Sequence, residues 1–183
     1  TVENAVRRAA DIWNGGFRRE GFTEAVSISA HTTPRSTYSS TIDYVRTPGK
    51  EIKSSVWTDP RNGKIFKAAI HIDHDVCKRI QYDLMVMCSH ADPSLTSVTA
   101  DQAAVEDCLT SMLVHHIGRC LGFRVNLYGS AAVPVETLRR GGALSESVMD
   151  EVRLYYLIDQ SLAGPEAALC KTGLGRFDLY NIN

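Results

Sequence analysis

His115–Asn126, HHIGRCLGFRVN, closes the strongest helical pattern in the chain, and its reading decides the fold. Upstream, Thr99 and Gln102 form a T-x-x-Q capping box, which predicts a helix start near Thr99. Val105, Leu109, Met112, Leu113, Ile117 and Cys120 then recur at helical spacing, so one face is apolar. Gly122 is placed to end the helix in a left-handed conformation. The residues on that helix, His115, His116 and Arg119 above all, are the candidates for chemistry.

Outward from this helix the pattern alternates between helix and strand. Val2, Val6, Ala9, Ala10 and Trp13 predict an N-terminal helix, with Gly15-Gly16 as its end. Ala25–Ala30, Thr41–Val45 and Ser54–Thr58 read as strands. Asp59-Pro60-Arg61-Asn62-Gly63 is turn chemistry that should join the last of these to a longer strand, Lys64–Ile72. Cys77–Cys88 fits either a helix or a buried irregular segment. His90–Val98 and Tyr128–Gly142 read as loops, Val148–Leu162 as containing a helix, and Pro165 as the start of a short last one. The expected fold is α/β (α+β): a mixed twisted sheet with a long central helix and a C-terminal helix. One domain over residues 1–183 is expected, with 1–122 and 123–183 as its two parts.

Composition narrows the function classes. Twenty basic and 21 acidic residues give a net charge of −1, which offers no attraction for nucleic acid or an anionic membrane. No apolar run is long enough to span a bilayer. No signal peptide is legible, because Val2–Trp13 already reads as an amphipathic helix; such a start is expected of a domain taken from a longer exported protein. Among the five cysteines, Cys108 and Cys120 lie too far apart along one helix to bridge, roughly 18 Å, whereas Cys77 and Cys88 could pair if the chain between them turns back.

The spacing around His115 resembles the metzincin zinc-protease motif H-E-x-x-H-x-x-G-x-x-H, which is followed later by a methionine turn. Two histidines four apart chelate zinc from one helix face, the glutamate takes a proton from zinc-bound water, and the glycine swings the chain back to a third histidine. His115 matches the first ligand and Gly122 the turn glycine. Ser147-Val148-Met149-Asp150 is similar to the methionine turn S-x-M-D. Ala9–Val26, Asp59–Ile65 and Leu121–Asn126 add to a resemblance to a bacterial family of predicted zinc-dependent metzincins, common in Bacteroidetes, typically longer and exported. The resemblance covers about Val2–Tyr156. It implies a zincin-like fold, an exported location and zinc as the family cofactor.

The departures from that motif fall on the chemistry. His116 stands where the glutamate belongs, Arg119 at the second ligand, Val125 at the third, and Glu151 where many metzincins carry an oxyanion-steadying tyrosine. Guanidinium has no lone pair to donate, and valine contributes nothing to a metal. No catalytic residue and no bound metal are therefore expected; His115 is the one ligand left in the frame. Arg119 is expected to fill the zinc position with its own cation, paired to Asp150 or Glu151.

His71, Asp73 and His74 read as polar residues at a strand end, and His31 and His90 as loop residues. No G-x-S-x-G elbow accompanies Ser111, so a serine hydrolase is rejected. Cys120 reads as a small buried residue, not a reactive thiol. Three functions follow. The first is a pseudopeptidase that binds an extended peptide or protein by strand addition, with Lys64, Ile65, Phe66, Lys67 and Ala68 as the edge strand. The second is an active zinc peptidase using His115 with His71 or His74. The third is a structural or assembly domain of a larger exported protein. Oligomeric state is not legible.

Overall fold

The computed structural model describes residues 2–30, 38–46, 48–89, 93–97, 102–139, 145–151 and 173–183. Its elements are α1 (Val2–Arg19), β1 (Thr41–Val45), β2 (Ile52–Thr58), β3 (Ile65–Asp73), α2 (Val76–Cys88), a 3-10 turn (Pro93–Thr96), α3 (Gln102–Leu121), the short α4 (Tyr128–Ala131) and α5 (Val135–Arg139), and α6 (Arg176–Ile182). The architecture is mixed α+β with a small mixed sheet. Thr99, His31, His90, Pro165 and residues 152–162 lie outside the described residues, and so do the readings placed on them.

Strand order is β1-β3-β2. β1 runs parallel to β3, with Thr41 opposite Ala69, and β2 runs antiparallel, with Ile52 opposite Ile72. The β2–β3 connection is the expected turn: Gly63 takes φ of 73°, its N–H donates to the Asp59 carbonyl at 2.8 Å, and Asp59 Oδ1 accepts the Arg61 N–H. Central placement explains why Ala68, Ala69, Ile70 and Ile72 of β3 are all buried.

Lys64–Ala68, the expected edge strand, belongs to the turn and to the start of the middle strand, and β2 pairs it on one side. β1 joins β3 only from Ala69 onward, but β2 covers Ile65–Ala68 and the Ala68 N–H donates to Ser40 Oγ at 3.0 Å. Among the described residues the antiparallel edge is β2 itself. Ala25–Ala30 is not a strand. The N–H groups of Ala25 and Val26 donate to Asn14 Oδ1 at 2.9 and 2.8 Å, and Asn14 Nδ2 donates to the Val26 carbonyl at 2.7 Å. One buried asparagine on α1 thus satisfies backbone groups that a ladder would otherwise pair.

α1 does not stop at Gly15-Gly16. It continues to Arg19, and Gly21, with φ of 87°, follows. Gly16 instead makes room: a Cβ there would lie 2.5 Å from Leu174 Cδ1 and 2.9 Å from Ile182 Cδ1. Trp13, fully buried, anchors α1 on α3 by donating Nε1–H to the Val114 carbonyl at 2.8 Å. Leu109, Leu113, Val114 and Ile117 of α3 are buried between α1 and the sheet, each contributing about 1.5–3 kcal/mol of apolar burial.

α2 resolves the Cys77–Cys88 ambiguity in favour of helix. Eleven residues along it separate the two thiols by roughly 16 Å, so they cannot bridge. Cys108 is in a disulfide, and Cys77, Cys88 and Cys120 are thiols. The Tyr128–Gly142 loop holds two short helices, α4 and α5, which the Gly- and Pro-bearing sequence concealed.

Candidate functional site

α3 ends as its sequence dictates. Gly122 takes φ of 99°, and the Phe123 N–H reaches back to the Gly118 carbonyl at 3.0 Å, a left-handed cap. The cap turns Phe123 onto Trp13, with ring centroids 4.7 Å apart. Three residues later Asn126 bridges to Asp150, and its N–H donates to the Met149 carbonyl at 3.1 Å. The chain after the helix is thereby tied to Ser147–Asp150.

That segment packs on α3. Met149 is 2% exposed, and a Cβ on Gly118 would collide with its Sδ and lie 2.5 Å from Trp13 Cζ2. Its polar groups are densely bonded. Buried Asp178 of α6 accepts Ser147 Oγ–H at 2.6 Å, the Val148 N–H at 2.8 Å and the Gly175 N–H at 2.8 Å. Ser147 Oγ in turn accepts the Met149 N–H and an Asn126 Nδ2–H. Asp150 Oδ2 accepts the Ser130 N–H at 2.6 Å and lies 3.0 Å from Ser145 Oγ.

Beside that segment, along α3, lies a cleft of about 270 Å³. Ser111, His115 and Arg119, spaced four apart, line it together with Met112 and His116, one helical step away. Lys50 and Glu51, Ile52 at the start of β2, Arg79 of α2, and Val148, Asp150 and Glu151 complete the wall. His115 Nδ1 lies 3.0 Å from the Val148 carbonyl. A carbonyl only accepts, so Nδ1 carries the proton. His116 Nδ1 lies 3.0 Å from Ser54 Oγ of β2, which ties helix to edge strand.

The donor set does not fit a catalytic zinc ion. Arg119 lines the cleft one turn from His115 but has no lone pair, and Val125 is an exposed apolar side chain. Among the described residues no group of three or more His, Cys, Asp or Glu side chains is placed to hold a metal. His71 sits beside Asp43 (3.8 Å) and His74 Nδ1 lies 2.6 Å from Tyr44 Oη; neither lines the cleft.

The expected pairing of Arg119 with Asp150 or Glu151 is not formed. Asp150 is held by Ser130 and Ser145, 5% exposed, while Arg119 and Glu151 are both exposed. A carboxylate already accepting two short hydrogen bonds has little to gain by releasing them for a solvated guanidinium. Cys120, half-buried, has its thiol pushed up to about 11 by burial, which the adjacent Arg119 only partly offsets. It is therefore not an activated nucleophile.

Asn14, Asn126 and Asp178 escaped the sequence reading. Each has partners distant in sequence, Ala25 and Val26 for Asn14, Ser147 for Asn126, and Ser147 and Val148 for Asp178, and no local spacing marks such a partner. The S-x-M-D string did mark the segment that Asp178 holds.

Residues 97–183 match a family model described as Met-zincin. The match spans α3, Gly122, Val125 and Met149, and leaves the sheet outside. No curated protein and no solved structure matches the chain.

Proposed function

We propose that this chain, metzincin-like over residues 97–183, is a pseudopeptidase: a metallopeptidase scaffold kept for holding an extended peptide, without hydrolysis. The observation that carries the reading is Arg119, an exposed guanidinium lining the cleft one helical turn from His115. A zinc peptidase needs three protein ligands and a bound water, and the frame here supplies one imidazole. In this reading Ser147–Asp150 is the methionine turn and Met149 its supporting side chain.

Strand topology supports the binding half of the proposal. Among the described residues β2 is an edge strand whose start lines the cleft and whose Ser54 is tied to His116. An edge strand offers alternate N–H and C=O groups to an added strand, and this requires no metal. An exported location is part of the same proposal. The Cys108 disulfide favours an oxidising compartment.

Incubating zinc-loaded protein with a quenched-fluorescence library of end-blocked peptides tests the reading. Cleavage no faster than that of H115A is the expected result. Cleavage lost in H115A and on chelation would overturn it in favour of an active peptidase with another ligand set. If end-blocked peptides neither bind nor compete, the domain is a structural one.

A further inference from the structure

The cleft carries a cation where the related chemistry places a metal ligand, and no carboxylate among the described residues is bonded to it. Arg119 makes no ion pair among the described residues. Asp150 is occupied by Ser130 and Ser145, and Glu51 lies 3.4 Å from Lys53. Arg79 faces Asp83 at 3.5 Å, and Lys50 adds a further positive charge to the wall. Glu151 is the opposing charge on the same wall, exposed and not bonded to Arg119. The guanidinium thus stands in a walled cleft beside His115 and His116, with a planar fork of donors available to a ligand.

We infer that the cleft selects an extended peptide bearing a carboxylate side chain, Asp or Glu, and that Arg119 receives this carboxylate. The inference rests on the peptide-binding reading above and names its specificity. β2 aligns the peptide backbone, and the carboxylate drops to the floor formed by α3. A carboxylate matches the guanidinium fork with two parallel hydrogen bonds, which neither a carbonyl nor a hydroxyl can do. Arg119 is exposed, so the preference should be strongest at low salt and fall as salt rises.

The test uses a randomised library of N-acetylated, C-amidated peptides captured on the immobilised chain and on R119L, with the bound pools sequenced. Blocking both ends removes the terminal carboxylate as an alternative source of charge. Arg119 is exposed, so R119L should fold, as circular dichroism would verify. The expected result is enrichment of Asp and Glu at one position by about tenfold on the unsubstituted chain, lost on R119L and partly kept on R119K. Capture of peptides without acidic enrichment, or enrichment unchanged in R119L, overturns the inference and leaves the peptide-binding reading standing. A preference for free C-termini, seen when unblocked peptides are substituted, overturns it in favour of a terminal-carboxylate site. Capture of no peptide overturns both.

Discussion

The two sides of α3 differ in how completely their polar groups are committed. Toward Trp13, Met149 and Asp178, bonded partners abound: Asp178 alone accepts three hydrogen bonds while buried, and Met149 fills the space left by Gly118. Toward the cleft, Arg119 is exposed and lacks an ion pair among the described residues, and His115 is supported through Nδ1 by the Val148 carbonyl. The packed side accounts for the shape of the helix, its cap and its turn. The cleft side holds His116 and Arg119, where the chain departs from the metzincin motif it resembles. The contrast teaches that packing and cleft chemistry occupy separable sets of residues on one helix.

Breaking the packed side should cost most. Asp178→Ala leaves the Ser147 hydroxyl and the Val148 and Gly175 N–H groups without their acceptor, and should destabilise by about 3 kcal/mol or more, read as a melting temperature lower by roughly 10 °C. Gly118→Ala drives a Cβ against Met149 and Trp13, and overpacking of this kind costs about 1–3 kcal/mol in denaturant titration. On the cleft side, Arg119→Leu should change stability by less than about 0.5 kcal/mol, because the side chain is exposed and without an ion pair among the described residues. Equal losses from Gly118→Ala and Arg119→Leu would erase the contrast. The smallest effect concerns Cys120. With its thiol raised to about 11, alkylation should be slow near neutrality and should keep accelerating above pH 9, where an exposed thiol would already be levelling off. A plateau near pH 8.5 would show the thiol to be solvated.

What was legible in the sequence was local. Apolar spacing from Val105 to Ile117 gave α3, Gly122 gave its left-handed end, and Asp59–Gly63 gave the β2–β3 turn. What escaped depends on partners distant in sequence. β3 reads as a strand from its own residues, but only β1 and β2 together make it the middle one, with β1 joining from Ala69 onward and β2 pairing from Ile65. Gly15-Gly16 resembles a helix stop until Leu174 and Ile182 are seen to require Gly16. Asp150 looked available to Arg119 because Ser130 and Ser145 are not neighbours in the motif.

The central claim is that the metzincin-like frame persists while its zinc donors do not, and zinc stoichiometry tests it most directly. Purified chain and the triple variant H116E/R119H/V125H are each equilibrated with zinc, passed over a desalting column and measured for bound metal. The account predicts no stoichiometric zinc on the unsubstituted chain and one zinc per chain on the triple variant. One zinc on the unsubstituted chain, abolished by H115A, would contradict it.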